Sequence, residues 1–266
     1  SDIDGLKGKI AVGHNRYSTN GGRTAHLQPV LNESIGFALA HNGNIPDTTE
    51  LEEYLEKRGY ITEQYNDSEL LGNAIASKLH GGRTFNEAIT EVSAIATGAY
   101  ACVATHGGEL VGFRDPAGIR PLEIGTFNGG VILASETCAL DTIGATHVRS
   151  VRPGEIVTIR DGKIVESYQF AEGREQLDSF ELVYFARHDS VLLGQRVDIV
   201  RRRFGEELAK LHQPTAKKEN IVVTAVPDTS VPAAESYALS CGRSPQAIVN
   251  TDIIESQQTL GAARCL

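Results

Sequence analysis

Apolar residues in the first part of the chain follow the helical period in three segments. Two of these segments follow polar residues that favour helix starts, Asp47–Glu50 and Asn66–Glu69, and continue with apolar residues spaced three and four positions apart. The third, Phe85–Ile95, keeps the same spacing. The pattern predicts three helices here.

Short apolar runs bounded by Gly, Asn and Pro predict β-strands on both sides of these helices. Two runs, Lys9–His14 and Ile35–Ala40, precede the helices. The runs that follow them are 101–104, 109–113, 122–124, 131–134 and 155–159. Asp161-Gly162, after the last run, is typical of a two-residue hairpin. Because helices and strands come in blocks, we expect sheets covered by helices, an α+β sandwich.

A charged stretch with few apolar residues, Ala171–Ser179, predicts a domain boundary. Beyond it, Asp198–Leu211 has a helical pattern. The apolar run Ile221–Val226 then leads through the polar segment Pro227–Ser230 into a helical segment, Val231–Leu239. A buried strand, a polar loop and a helix in this order are typical of a parallel α/β domain. We therefore expect part of such a domain at the end of the sequence.

Composition excludes some classes of function. The 266 residues carry a net charge of −9 with a pI near 5.4, which argues against a nucleic-acid or anionic-membrane surface. No apolar run reaches the length of a bilayer span and no secretory signal pattern opens the sequence, so we expect a cytoplasmic protein. The four cysteines stand far apart and predict neither a disulfide framework nor a structural zinc site.

Polar residues near the ends of the first two predicted strands are the candidates for chemistry. In His41–Asn44, an amide side chain and a glycine N–H can converge as donors on one oxygen, as an oxyanion hole requires. An Asn-Gly hairpin turn explains the same four residues. Arg16 suits either a bound carboxylate or a salt bridge at the rim. Asp67 suits either a helix cap or a bound ammonium group.

Several blocks of sequence, in a fixed order, resemble the amidophosphoribosyltransferase family of purine biosynthesis. The most specific blocks are RDPAGIRPL at 114–122 and SETCALDTIGA at 135–145. The others are GHNRYST at 13–19, LAHNGNIPDTTEL at 39–51, NDSELL at 66–71, GAYACV at 98–103 and VYFARHDSV at 183–191. The resemblance implies an Ntn-type αββα sandwich, the class II glutamine amidotransferase fold, over residues 1–172. It implies an incomplete type I phosphoribosyltransferase domain over residues 180–266.

The resemblance also implies roles for individual residues. Arg16 corresponds to the arginine that holds the α-carboxylate of glutamine, with Thr19 in the adjoining loop, and Asp67 corresponds to the carboxylate that holds the α-amino group. Asn42 and Gly43 correspond to the oxyanion hole. The residues that correspond to a loop approaching phosphoribosylpyrophosphate are Asp228, Thr229 and Ser230.

The reaction implied by the resemblance transfers the amide nitrogen of glutamine to phosphoribosylpyrophosphate and gives phosphoribosylamine. Mg²⁺ is the expected cofactor of the complete enzyme, with its site outside these residues. Glutamine, phosphoribosylpyrophosphate, inhibitory purine nucleotides and further copies of the chain in a homo-oligomer are the expected partners, without nucleic acid or membrane. Ser179 stands where cluster-bearing relatives carry a cysteine, so we expect no iron–sulfur cluster.

The sequence departs from the family pattern at both ends. The family's nucleophile is an N-terminal cysteine several dozen residues before the block at Gly13, and here twelve residues precede Gly13. We therefore expect these 266 residues alone to hydrolyse no glutamine. The residues up to Leu266 do not include the family's acidic phosphoribosylpyrophosphate loop. Two alternatives stay open, a class II amidotransferase with another product and a degenerate paralogue that binds glutamine or a nucleotide.

Overall fold

The computed structural model describes residues 8–15, 26–212, 214 and 223–242. Contacts within the chain divide it into two compact units, Ser1–Asp178 and Ser179–Leu266. The division falls at the end of the charged stretch that predicts a domain boundary. No helix among the described residues is long and apolar enough to cross a membrane.

Three helices form one layer of the first unit. They are α1 (Thr49–Glu56), α2 (Asp67–His80) and α3 (Phe85–Ser93). Helices α2 and α3 both begin with a capping box, in which Asn66 and Thr84 accept the N–H of the third helical residue. Glu69 and Glu87 at those third positions accept the cap N–H in return. All three predicted helices are confirmed.

The described residues of the first unit also form two antiparallel sheets and a short fourth helix. The strands are β1 (Val30–Asn32), β2 (Phe37–Asn44), β3 (Ala99–His106), β4 (Glu109–Arg114), β5 (Glu123–Phe127), β6 (Gly130–Ala134), β7 (Thr146–Ser150), β8 (Glu155–Arg160) and β9 (Lys163–Gln169). The larger sheet has the order β1-β2-β3-β4-β8-β9 and the smaller has the order β6-β5-β7. The fourth helix, α4, covers Thr137–Thr142.

Two apolar cores show how these parts stack. One core joins the larger sheet to the first three helices, for example Leu39 of β2 with Ile75 of α2. The other joins residues of both sheets, for example Ile124 of β5 with Val157 of β8. Helix α4 contacts β6 and β7. The order is helix, sheet, sheet, helix, so the αββα sandwich expected from the resemblance is confirmed for this unit.

Two predicted strands are wrong where the structure describes them. Residues 9–14 have no strand pairing, and residues 9–13 border a cavity of about 240 Å³ together with side chains from both sheets. Val223–Val226 is not a strand either, and Ile221 and Val222 lie outside the described residues. A strand needs a neighbour for its hydrogen bonds, and no described strand pairs with either segment. An apolar run does not reveal whether that neighbour exists.

The pattern missed three short elements of the first unit, β1, α4 and β7. Strand β1 has three residues and α4 has six, which is too short to show a period. Strand β7 is almost wholly exposed, so its residues carry no alternation of apolar and polar positions. These elements depend on their neighbours in space rather than on a local pattern.

The second unit is described over fewer residues. It contains a π-helical turn (Glu181–Phe185), the hairpin β10 (Val191–Leu192) and β11 (Gln195–Arg196), and the helices α5 (Val197–Leu211) and α6 (Val231–Ser240). Helices α5 and α6 are so close at Gly205 that a Cβ there would lie 2.0 Å from the carbonyl oxygen of Ala233. Both predicted helices are confirmed, and the parallel α/β domain stays a prediction.

A buried carboxylate joins three strands of the first unit. Glu155, at the start of β8, is fully buried. Arg149 donates two hydrogen bonds to it at 2.7 and 2.8 Å, and the N–H of Arg152 and the hydroxyl of Ser167 donate at 2.7 and 2.5 Å. Burial raises the pKa of Glu155, but these hydrogen bonds together outweigh burial and lower the pKa to about 2.

We predict that Glu155→Gln lowers the free energy of unfolding by about 2–4 kcal/mol at pH 7, because buried donors lose a charged acceptor. Because the pKa of Glu155 is lower in the folded state, its carboxylate stabilises the fold at pH values above the ordinary carboxyl pKa of 4.5. This stabilisation is lost as the pH falls towards 2. The difference between wild type and variant should therefore shrink below about pH 5. Urea denaturation of the full-length protein across this pH range measures it.

The matched control is Glu166→Gln, on exposed strand β9, which should change stability by less than about 0.5 kcal/mol. Equal losses in the two variants, or a difference that does not change with pH, would show that the Glu155 carboxylate is not the stabilising group.

Candidate functional site

Strand β2 continues through His41–Asn44 instead of ending before it. Gly43 pairs with Tyr100 and Asn44 pairs with Ala99 of β3. The interpretation of these four residues as an Asn-Gly hairpin turn is therefore wrong, because pairing with β3 overrides the local turn preference. Asn42 and Gly43 lie inside the strand and near its end.

Gly43 permits a very close approach of β2 and β3. A Cβ at this position would lie 2.0 Å from the carbonyl oxygen of Ala99 and 2.6 Å from Nε2 of His41. The carbonyl belongs to a paired strand and the imidazole is buried, so neither can move aside cheaply. Glycine is the residue that fits this position.

The N–H of Gly43 points away from β3. Tyr100 is the partner of Gly43 in register. Its N–H donates to the Asp115 carboxylate and its C=O accepts the N–H of Asp115, so Gly43 and Tyr100 exchange no backbone hydrogen bond. His41 has the same orientation two residues earlier and donates its N–H to Oε1 of Gln28 at 2.6 Å. Strand β1 pairs with β2 only over 37–39, so the Gly43 N–H lies at an edge that β1 does not cover.

Asn42 faces the space between the two sheets. Its partner in register, Ala101, belongs to the core that joins the sheets. Nη2 of Arg120 donates a hydrogen bond to Oδ1 of Asn42 at 3.1 Å. A guanidinium only donates, so this contact identifies the amide oxygen and leaves the amide NH₂ group to donate elsewhere.

Asp67 is the first residue of α2 and not its cap. The capping side chain is Asn66, which accepts the N–H of Glu69 at 2.9 Å. The Asp67 carboxylate accepts the N–H of Ser68 at 2.8 Å and the N–H of Ile45, directly after β2, at 3.1 Å. The helix-cap interpretation of Asp67 is therefore wrong, and its carboxylate lies at the end of β2.

A buried histidine joins this strand to this helix. Nδ1 of His41 lies 2.9 Å from Oγ of Ser68 and 4.0 Å from Oδ2 of Asp67, and its Nε2 lies 3.4 Å from the carbonyl oxygen of Ala99. Burial lowers the pKa of His41, against the raising effect of Asp67. The ring is therefore neutral at neutral pH, with its proton on Nε2 facing the carbonyl and Nδ1 accepting from the hydroxyl.

The structure brings Asn42, Gly43 and Asp67 to one end of β2. They reach it from different sides: Asn42 from the space between the sheets, Asp67 from the helical layer, and the Gly43 N–H at the strand edge. Arg16 and Thr19 lie outside the described residues. The prediction that Arg16 shares a pocket with Asn42 and Asp67 therefore stays a prediction.

Asp228, Thr229 and Ser230 form a turn directly before α6 in the second unit. The hydroxyl of Ser230 donates to the carbonyl of Val226, so its side chain does not cap the helix. The peptide bond between Pro227 and Asp228 is cis. A role for these residues in binding phosphoribosylpyrophosphate stays a prediction.

The described cysteines provide no obvious nucleophile. Burial raises the pKa of Cys102 well above its usual range, and the charges of Asp115 and Asp67 raise it further. Its side chain is therefore a neutral thiol. Cys138 is also buried and Cys241 is half-buried, whereas Cys265 lies outside the described residues.

Sequence reasoning missed two contributors to the site, His41 and Arg120. A histidine directly before Asn-Gly gives no sign that its ring contacts the next helix. Arg120 contacts Asn42 across 78 positions of sequence, and no local spacing predicts such a pair. The sequence did contain one signal for Arg120, which is that it lies in the specific RDPAGIRPL block.

Comparison with known proteins identifies the family of the chain. The glutamine amidotransferase domain family model matches residues 14–142. The amidophosphoribosyltransferase of Synechococcus elongatus is 42% identical over 245 residues, which cover 89% of this chain and 49% of that protein. The amidophosphoribosyltransferase of Bacillus subtilis is 39% identical over 91% of this chain and 50% of that protein.

A solved structure gives the same result. Glutamine phosphoribosylpyrophosphate amidotransferase from B. subtilis, complexed with ADP and GMP, matches with a TM-score of 0.77 and 36% identity, over 88% of this chain and 50% of that one. The fold and the matched family model define a class II glutamine amidotransferase domain. The chain belongs to the amidophosphoribosyltransferase family and spans about half the length of the curated relatives it matches.

We predict that Gly43→Ala destabilises the protein by about 3 kcal/mol, because the added methyl group overlaps the β3 backbone. Gly130→Ala in β6 is the matched control, because a Cβ there meets only the carbonyl oxygen of Phe127 at 3.5 Å. Thermal unfolding of the full-length protein compares the two variants. If Gly43→Ala is tolerated as well as Gly130→Ala, the close approach of β2 and β3 is wrong.

Proposed function

We propose that the full-length protein is an amidophosphoribosyltransferase of purine biosynthesis. In this reaction the amide nitrogen of glutamine displaces pyrophosphate from phosphoribosylpyrophosphate and gives phosphoribosylamine. The main support is the geometry at the end of β2. The carboxylate of Asp67, which does not cap α2, lies there beside the strand that carries Asn42 and Gly43. The similarity to relatives of that name over about nine-tenths of the chain supports the same conclusion.

Asp67 is the proposed acceptor for the α-ammonium group of glutamine. Its two oxygens accept N–H groups from Ile45 and Ser68, and a carboxylate has about four acceptor positions, so capacity remains for a charged donor. A hydrogen bond between an ammonium and a carboxylate is about twice as strong as one between neutral groups. Arg16 is the proposed partner for the α-carboxylate at the other end of the amino acid, with Thr19 beside it.

Asn42 and Gly43 are the proposed oxyanion hole. When a nucleophile attacks the side-chain amide of glutamine, negative charge develops on the amide oxygen. The Asn42 NH₂ group, with its oxygen already held by Arg120, and the outward N–H of Gly43 are the donors for that charge. The family resemblance implies an N-terminal cysteine as the attacking group. Cys102 is not the proposed nucleophile, because its raised pKa keeps that thiol protonated.

The phosphoribosyl half of the proposal rests on the family alone. Asp228, Thr229 and Ser230, before the N-terminus of α6, are the proposed approach to phosphoribosylpyrophosphate. Mg²⁺ belongs to the proposal as the ion that neutralises pyrophosphate. Among the described residues no group of three or more His, Cys, Asp or Glu side chains could hold a metal ion, and we propose that the Mg²⁺ site lies outside them. The absence of an iron–sulfur cluster stays a prediction from Ser179.

Purine nucleotides and self-association complete the proposed partners. The B. subtilis relative is complexed with ADP and GMP. On that basis we extend binding of purine nucleotides to the full-length protein, and the family resemblance implies that these nucleotides act as inhibitors. A homo-oligomer is proposed from the family resemblance.

We predict that Asp67→Asn in the full-length protein lowers glutamine-dependent kcat/KM about 10- to 100-fold, because the substrate ammonium loses a charged acceptor. Ammonia-dependent synthesis of phosphoribosylamine should stay within about twofold, since free ammonia needs no amino-acid pocket. The measurement is both activities on the same preparation.

Asn66→Ala is the matched control on the neighbouring residue. Removing the true cap should cost about 1 kcal/mol of stability and leave the ratio of the two activities unchanged. Equal loss of both activities in Asp67→Asn, or the same pattern in both variants, would show that Asp67 serves the fold and not glutamine.

A further inference from the structure

A buried arginine fixes the loop between β4 and β5. The side chain of Arg114 is 2% exposed. Its guanidinium donates to the carbonyl oxygens of Gly118 at 2.5 Å, Arg120 at 2.8 Å and Val151 at 2.6 Å, and to the carboxylate of Glu175 at 2.8 Å. Four acceptors around one buried cation leave this loop little freedom.

The rest of the loop is held just as closely. The carboxylate of Asp115 accepts the N–H of Ala117 at 2.9 Å and the N–H of Tyr100 on β3 at 3.1 Å. Gly118 has a φ of +59°, and a Cβ there would lie 2.6 Å from Cγ of Pro153. The backbone of the loop is therefore determined by contacts that involve no ligand.

This fixed loop ends at Arg120, whose carbonyl is held by Arg114 and whose side chain reaches Asn42. The contact joins the loop to β2 across 78 positions of sequence. A carboxamide can rotate by half a turn and exchange its oxygen and nitrogen at little steric cost. Only the nitrogen is a donor, so an oxyanion hole needs one of these two orientations.

We propose that Arg120 is a positioning residue that holds the Asn42 carboxamide with its NH₂ group towards the developing oxyanion. The proposal rests on the proposed function, because it concerns the same glutamine site. Arg120 acts through Asn42 and needs no contact with substrate. A flipped amide would place an oxygen, and therefore repulsion, where negative charge develops. The buried network around Arg114 then has a catalytic consequence, since it fixes the point from which Arg120 reaches Asn42.

The test is a double-mutant cycle in the full-length protein with Arg120→Met, Asn42→Ala and both together. We expect Asn42→Ala to lower glutamine-dependent kcat about 10²- to 10³-fold, as for the loss of an oxyanion-hole donor, and Arg120→Met to lower it about tenfold. KM for glutamine should change less than about threefold, because the effect arises in the transition state. In the Asn42→Ala background, Arg120→Met should cost less than about twofold, because its target is gone.

Four further measurements make the result specific. Ammonia-dependent synthesis should be unchanged in every variant, and thermal unfolding shows whether Arg120→Met is folded. Arg120→Lys should recover part of the lost kcat, since an ammonium still donates one hydrogen bond. Arg160→Met removes an exposed arginine from the same unit, 56% exposed at its side chain, and should leave both activities unchanged.

The outcomes separate this proposal from the proposed function. Wild-type protein without glutamine-dependent transfer would overturn the proposed function itself. If the wild type is active, two results overturn the role of Arg120 alone. One is that the losses of kcat from Arg120→Met and Asn42→Ala multiply in the double variant, and the other is that Arg120→Met leaves kcat unchanged. If Arg120→Met does not fold, Arg120→Lys replaces it in the cycle, with the same criterion of non-additivity.

Discussion

The pairing of β2 with β3 past Asn42 is the constraint on which the site depends. It brings Gly43 so close to the carbonyl oxygen of Ala99 on β3 that no side chain fits on Gly43. If the chain turned at this point instead, the Asn42 side chain would leave the space between the sheets and lose Arg120. The Ile45 N–H would also leave the Asp67 carboxylate. The close approach at Gly43 thus keeps Asn42 in contact with Arg120 and the N–H of Ile45 in contact with Asp67.

The site combines groups fixed by burial with groups left available for a ligand. His41 is buried and neutral, because burial lowers its pKa more than Asp67 raises it, so it joins β2 to α2 without adding a charge. Asn66 takes the capping role and leaves Asp67 to face the strand end. Arg114 and Asp115 hold the loop that delivers Arg120. Buried structural contacts therefore prepare a small set of polar groups, which is how a preorganised site keeps its geometry.

Much of the fold was predictable from the sequence, because the helices and central strands have clear periods and caps. The failures have a common cause. Residues 9–14 and Val223–Val226 have the composition of strands but no paired neighbour among the described residues. Strand β7 pairs with β5, but its residues are almost all exposed and show no alternation of apolar and polar positions. Strand formation depends on partners that are distant in the chain, and local pattern does not contain that information.

The candidate site was predictable in part for the same reason. Resemblance to a family selected Asn42, Gly43 and Asp67. The residues alone left a hairpin turn and a helix cap as alternatives, and the structure contradicts both of those local interpretations. The contact between Arg120 and Asn42 had no local signal, since it joins positions 78 residues apart. A specific block such as RDPAGIRPL indicated that the segment mattered, and the structure supplied the contacts that explain it.

We propose that the end of β2 and the start of α2 together bind glutamine. A crystal structure of the full-length protein with a glutamine analogue that reacts at the nucleophile tests it most directly. We predict that the analogue's ammonium group lies within about 3 Å of an Asp67 oxygen. Its carbonyl oxygen should lie about 2.7–3.1 Å from Nδ2 of Asn42 and from the backbone nitrogen of Gly43. An analogue bound elsewhere, or with the Asn42 oxygen turned towards it, would contradict the account.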